Sequence, residues 1–419
     1  MKDNGVVCML PWVHTTVSMK NILRPCCRFS LGKDNEEIKQ DSEEDIKDKF
    51  KWLRKEMLAG NKVEQCNLCY QQEIYTPKGD RYPKSMRGES NHIWNLEVQN
   101  LTEDFDVLKS IELSLDNLCN LQCKMCDSLF SSKLYNRDAY LIEEFNKLNI
   151  VNKGRKPTKI PKQRIEFIKG LDIDWHALEQ IKILGGEPTF SPNFPKLINF
   201  LLEHSEVENI TIEIVSNCTN RLSQDMIDKL NRFKKIMFTC SLDGCNEYNS
   251  YQRWGTCGWK ETIINYKWYY ANFKNMERHH IHSTYTNLNI NGLAADFKYW
   301  KTFYPDWKIS FNFVTDGEYS PYIVPDPYLV WLEEQWDEAY CSEDWPAAAD
   351  GMFGLAKEML YKNHITPIGY DKYYSQYSWD KLMIKIKALD KYYNSKLVDY
   401  NPALHEFLIN YDEHYGNEV

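Results

Sequence analysis

Residues 119–126 read Cys119-Asn120-Leu121-Gln122-Cys123-Lys124-Met125-Cys126. Three thiols separated by three residues and then by two suit one cubane iron–sulfur cluster, because a short loop can wrap its sulfurs around three irons. Such clusters usually take four thiolates, so a trio leaves one iron open. An open position separates catalytic metal sites from closed structural ones. On this stretch alone, a structural zinc loop or a group of reduced core thiols stays open as an alternative.

The run Ile111-Glu112-Leu113-Ser114-Leu115-Asp116 leads into the loop and reads as a strand. Similar runs follow at 181–185, 210–216, 235–242, 279–286 and 307–314, with helical patterns at 194–204, 223–233 and 259–273. Six strand–helix units in series predict a parallel sheet with right-handed crossovers. Ligands of such sheets sit at the carboxyl ends of the strands. After the second run comes Gly185-Gly186-Glu187-Pro188, where glycines admit a ligand close to the backbone and a carboxylate can accept from an ammonium. Ser216-Asn217 follows the third run and Ser241-Leu242-Asp243-Gly244 the fourth. Arg253 can grip a carboxylate with two parallel bonds, and Asn289 follows the fifth run. Turn capping is the plain alternative for each of these polar residues.

A second cysteine group precedes the strands. Cys8, the adjacent Cys26 and Cys27, and the pair Cys66/Cys69 with its two-residue gap lie within residues 1–90. A short hairpin fits 13–23, and a Lys-rich acidic helix fits 43–59. Cys66/Cys69 is a chelating knuckle, and Cys8 with Cys26 or Cys27 completes four thiolates. Four sulfurs fill an iron–sulfur cluster or a zinc ion and leave no open position.

The bulk properties narrow the class. At 419 residues, 43% of them hydrophobic and 26% charged, the chain has room for two or three globular domains. The formal charge of −9 gives no support to a nucleic-acid partner. Thirteen cysteines in chelating spacings point to metal ligation in a reducing compartment over a disulfide scaffold. No apolar run approaches the ~20 residues that span a bilayer, and residues 1–5 begin no signal peptide. These features predict a cytoplasmic protein with no membrane partner.

The CxxxCxxC spacing, followed one strand–helix unit later by Gly-Gly-Glu-Pro, resembles the radical SAM superfamily. Met125 departs from the aromatic usual before the last cysteine, although an apolar residue there still shields a cluster. The resemblance implies an α/β fold, a partial (β/α)6 TIM-like barrel. It implies a [4Fe–4S] cluster held by Cys119, Cys123 and Cys126, with S-adenosylmethionine (SAM) chelated at the open iron. One-electron cleavage would yield a 5′-deoxyadenosyl radical that abstracts hydrogen from a peptide or small-molecule substrate. Candidate SAM contacts are Gly185, Gly186, Glu187, Ser216, Asn217, Ser241, Asp243, Arg253 and Asn289. The N-terminal group resembles the twitch and SPASM auxiliary-cluster modules, placed here before the barrel instead of after it. It implies a second [4Fe–4S] cluster at Cys8, Cys26, Cys66 and Cys69, with zinc as the alternative. An electron donor such as flavodoxin or ferredoxin is expected. Three domains follow: 1–90 with the auxiliary module, 105–316 with the barrel, and a helical segment at 320–419.

Oxidation, crosslinking and epimerisation all suit this chemistry. An epimerase needs a hydrogen donor, and Cys218, Cys240, Cys245 and Cys257 lie near barrel loops, where packed thiols are the plainer reading. Two rivals remain: a nucleotide or sugar-like substrate, and a non-catalytic iron–sulfur or zinc protein. Residues 146–169 carry Lys153, Arg155, Lys156, Lys159, Lys162 and Arg164, read here as a solvated excursion. The apolar spacing of Leu382, Ile384, Ile386 and Leu389 predicts a helix packed on the barrel.

Overall fold

The computed structural model describes residues 5–30, 50–74, 85–95, 100–104, 107–148, 150, 164–255, 257–276, 279–315, 317–365 and 372–415. Eight strands form one open sheet: β1 (His14–Val17), β2 (Leu23–Arg24), β3 (Ser110–Ser114), β4 (Gln180–Leu184), β5 (Thr211–Ser216), β6 (Lys235–Ser241), β7 (His280–Tyr285) and β8 (Lys308–Phe313). Their order is β2-β1-β3-β4-β5-β6-β7-β8. The six predicted runs are β3 to β8, each within two residues of the predicted ends. The chain divides into two compact units: Met1–Asn117 with Ile160–Ile214 and Gln224–Met237, and Leu118–Lys159 with Val215–Ser223 and Phe238–Val419.

In the first unit β1 and β2 form the expected hairpin, with Thr16 opposite Arg24. Asn21 turns it at φ 59, a left-handed conformation that asparagine tolerates. Sequence spacing did not reveal that β1 also runs parallel to β3, with Thr16 opposite Glu112. The hairpin of the cysteine-rich segment therefore extends the parallel sheet. Side chains alternate across the strands. Ile111, Leu113, Ile181, Ile183, Ile212 and Ile214 are completely buried, and the other face carries polar groups. The helix Asn193–His204 buries Phe194, Leu197, Ile198 and Leu201, one helical stripe. It packs beside the helices Arg164–Lys169 and Gln224–Leu230.

Arg164 corrects the reading of its stretch as solvated. It is buried, donates from Nε to the Leu115 carbonyl at 3.1 Å, and also bonds the Ser114 carbonyl and Asn21. A guanidinium can tie a strand end to a turn because its donors point several ways at once. Lys153, Arg155, Lys156, Lys159 and Lys162 lie outside the described residues, as do residues 43–49 of the predicted acidic helix, whose remainder is the helix Lys51–Leu58. The N-terminal segment builds its own small core from Val7, Leu10, Trp12, Phe29, Leu53 and Met57.

In the second unit β7 lies parallel to β6 and β8. The helices Asp326–Tyr340, Asp350–Ile365, Lys372–Tyr393 and Pro402–Tyr415 share one apolar core with Tyr285, Phe297 and Phe313. Leu382, Ile386 and Leu389 are buried in it, so the predicted stripe faces core. Trp336 Nε1 donates to the Ile290 carbonyl at 2.9 Å, and Asn401 Nδ2 to that of Leu288 at 2.9 Å. These bonds pin the C-terminal helices to the loop after β7. Among the described residues no helix is long and apolar enough to cross a membrane.

Candidate active site

The three-cysteine loop begins five residues past β3 and is held from behind by one buried arginine. Arg137, in the helix Tyr135–Lys147, donates to the carbonyls of Cys123 at 3.0 Å, Lys124 at 3.4 Å and Cys126 at 2.5 Å. Asp138 balances its charge from Oδ1 and accepts the Ser128 amide on Oδ2 at 2.7 Å. The loop is thus fixed through its backbone. Gln122 and Lys124 donate their amides to the carbonyls of Trp254 and Gln252, each at 2.7 Å. Lys124 itself is fully buried, 3.1 Å from Ser395 Oγ and 3.5 Å from Asp390.

The three thiols share one electrostatic neighbourhood. Burial pushes Cys123 up to about 12, opposed by Arg253 and reinforced by Cys119. Cys126 is raised by burial, then by Cys123, Asp127 and Cys119. Without a cation, three thiolates here would be costly, and coordination to a metal removes that cost by deprotonating the thiols outright. Cys119 Sγ accepts from the Leu121 amide at 3.4 Å and lies 4.0 Å from Asn217 Nδ2. A trio of thiols on one braced loop fits three corners of a cubane. Among the described residues no three His, Cys, Asp or Glu side chains converge on a single metal ion.

Asn217 belongs to a small network. Its Nδ2 donates to Asn120 Oδ1 at 2.9 Å, and its Oδ1 accepts from Thr219 Oγ1 at 2.7 Å. Ser216 Oγ accepts from the Cys218 amide at 3.0 Å, and Ser241 ends β6 half-buried. Arg253 pairs with Asp243: Nε lies 2.7 Å from Oδ2 and Nη2 2.9 Å from Oδ1. Asp243 also accepts from Gln252 Nε2 and the Thr284 amide, at 3.0 and 2.9 Å. Asn289 donates to the carbonyls of Asp243 and Thr284 and accepts from the amide and hydroxyl of Thr286. All four bonds of its amide lie within the protein. It holds the turn after β7.

In the first unit the Gly-Gly-Glu turn closes on the end of β3. The Gly186 amide donates to the Asp116 carbonyl at 2.7 Å. A Cβ on Gly185 would stand 2.7 Å from that same oxygen, so no larger residue fits. Glu187 is buried and caps the next turn, accepting the Thr189 amide and hydroxyl on Oε1 at 3.0 and 2.6 Å.

Cys8, Cys26, Cys66 and Cys69 line one cavity together with Arg28 and Arg87. Burial and the neighbouring Cys8 raise both Cys26 and Cys66, the latter to about 12. Cys27 does not line this cavity; its charged neighbours are Glu112, Lys182 and Arg28. Arg87 bonds Glu73 through Nη2 at 2.6 Å and the Val7 carbonyl at 3.0 Å, which ties three stretches of the segment together. Of the other thiols, Cys218, Cys240 and Cys245 are buried, and Cys257 is half-buried beside Thr262.

Spacing missed Arg137, Lys124, Asn120 and Thr219. Only proximity to the loop could have flagged the first two, since no local pattern marks their roles.

Residues 113–294 match the family described as the radical SAM superfamily. The chain therefore carries a radical SAM domain, a domain of enzymes. Among solved structures it is similar to native anSMEcpe with bound AdoMet, at 18% identity over 56% of this chain and 61% of that one, with a TM-score of 0.35. It is also similar to Streptococcus suis SuiB bound to precursor peptide SuiA, at 16% identity over 65% and 53%, TM-score 0.32. A third likeness is to TYW1 with a lysine-pyruvate adduct bound, at 16% identity over 52% and 70%, TM-score 0.28. The chain spans about three fifths of the length of anSMEcpe. No curated protein matches it.

Proposed function

We propose that this protein is a radical SAM enzyme in which Cys119, Cys123 and Cys126 hold a [4Fe–4S] cluster with one open iron. The observation that carries this reading is the three-thiol loop, braced by Arg137 and lying inside the matched domain. When bound, the cluster and SAM supply a 5′-deoxyadenosyl radical able to take a hydrogen atom from a substrate. The protein's own residues shape and shield that event. Gly185 and Gly186, whose turn closes on the Asp116 carbonyl, are candidate SAM contacts in this reading. Glu187 in the first unit, and Ser216, Asn217, Ser241 and Arg253 in the second, are the candidate SAM contacts, and Asp243 fixes the Arg253 side chain.

Cys8, Cys26, Cys66 and Cys69 hold a second [4Fe–4S] cluster in this reading, as in a twitch or SPASM module. Their common cavity supports the grouping. The substrate is a peptide or a small molecule, the reductant a flavodoxin or ferredoxin, and the compartment the cytoplasm. The test is reductive cleavage of SAM by the anaerobically reconstituted full chain. Formation of 5′-deoxyadenosine by the wild type, and its loss in Cys123→Ala, are the expected results. A reduced, iron-loaded protein that leaves SAM intact would refute the enzyme.

A further inference from the structure

Opposite the isoleucine and leucine face of the first unit's sheet runs a charged row. The strand registers set Thr16, Glu112, Lys182 and Glu213 side by side across β1, β3, β4 and β5. Lys182 Nζ lies 3.0 Å from Glu213 and 4.0 Å from Glu112. Two carboxylates thus share one ammonium, and the close contact goes to Glu213. Glu112 keeps the longer of the two contacts, and Arg24 stands opposite Thr16 at the end of the same row.

Glu112 is 5% exposed. Among the described residues no donor hydrogen-bonds its carboxylate. A buried carboxylate is ordinarily paired and hydrogen-bonded, because the unpaired ion is expensive to keep out of water. The neighbouring imidazole does not relieve it. His14 bonds Ser110 at 2.9 Å and Thr16 at 3.1 Å, and burial together with Lys182 holds it neutral. Burial and Glu213 raise the proton affinity of Glu112, with Lys182 opposing them. The row is a rigid strand surface, so it cannot collapse to satisfy that charge.

We infer that Glu112 and Glu213 form a substrate subsite for a cationic group, a primary ammonium or a guanidinium on a peptide side chain or small molecule. Lys182 pairs closely with Glu213 and only at 4.0 Å with Glu112, which leaves Glu112 as the anchor. This rests on the reading above that the domain acts on a substrate, and it names the charge of that substrate.

The test titrates the full-length reconstituted protein with n-butylammonium, n-butanol and butyrate, followed by saturation-transfer NMR. Saturable binding of n-butylammonium is expected, with the other two at least about tenfold weaker, as suits hydrogen bonds to a charged group. Glu112→Gln weakens n-butylammonium about tenfold or more, whereas Lys182→Met retains or tightens it. Equal binding of n-butanol or butyrate overturns the proposal, and so does an unchanged affinity in Glu112→Gln or a loss in Lys182→Met. The probe series uses wild type, so it stands even if a variant fails to fold. The same preparation is assayed for SAM cleavage. Cleavage without cation binding sinks the subsite alone, and cation binding without cleavage sinks the enzyme reading alone.

Discussion

The ammonium of Lys124 lies 3.8 Å from the centre of the Tyr251 ring and 3.5 Å from the Asp390 carboxylate. Trp254 and Tyr393 stand at 5.2 and 5.1 Å, so the cation is enclosed by three aromatic rings. Asp390 is held in turn by Tyr251, Ser395 and the Leu397 amide at 2.8–2.9 Å. The middle of the three-cysteine loop is therefore fastened to the end of the helix Lys372–Tyr393. Lys124→Met removes the only cation that pairs with Asp390 among the described residues. Breaking a buried pair costs about 3–5 kcal/mol. Asp390 keeps some solvent contact, at 19% exposed, so a loss near the lower figure is expected in urea unfolding. An unchanged unfolding midpoint would mean that the C-terminal helices do not brace the loop.

Arg137 makes a different prediction, because it holds backbone and not side chain. A lysine there has one ammonium in place of a forked guanidinium and cannot reach three carbonyls. Arg137→Lys should loosen the loop and empty its cluster, while the N-terminal cavity, built from other residues, keeps its own. Two cubanes hold about eight irons per chain. The variant should fall to about four, with the remaining signal unresponsive to SAM in electron paramagnetic resonance. Full iron loading in the variant would remove Arg137 from the account.

Much of the fold was legible because it is written locally. The alternation Ile181-Lys182-Ile183 and Ile212-Glu213-Ile214 marks strands covered on one face, and each returns as predicted. The pairing of β1 with β3 was not legible: four residues carry too little pattern to declare a partner about 96 positions away. The cysteines announced themselves by spacing, which is a local property. Their supports did not. Lys124 meets Ser395 across 271 positions, and nothing near either residue hints at the other. Asn289 shows a different side of local pattern. It stood where a ligand contact was expected, but local turn chemistry took its whole amide, as asparagine side chains often allow.

Cys26 and Cys27 are neighbours in sequence with different surroundings. Cys26 lines the cavity with Cys8, Cys66 and Cys69, and Cys27 does not. Cys26→Ser should therefore lower iron by about four per chain, and Cys27→Ser should leave the count unchanged. Zinc in the wild type with only about four irons per chain, found by metal analysis, would replace the auxiliary cluster with a structural ion. The reverse pattern between the two variants would mean that the cavity is not where the fourth ligand lies.

Asp296 gives the protein a pH signature. Its carboxyl is raised to about 7, chiefly by burial, against hydrogen bonds from the Cys245 amide at 2.8 Å and the Tyr285 hydroxyl at 3.0 Å. The unfolded value is 3.8. The folded state therefore holds this proton more tightly than the unfolded state does. Stability from this group is fully present below about pH 4 and is lost as pH rises through 7. Against the opposite trend of the surface carboxylates, the unfolding free energy should fall between pH 5 and pH 8 by an amount that Asp296→Asn removes. Asparagine keeps an acceptor for the Cys245 amide and carries no charge, so the variant should lose the slope without losing the fold. Identical pH profiles for the two proteins, measured by urea unfolding, would mean that Asp296 is ionised in the folded chain throughout this range.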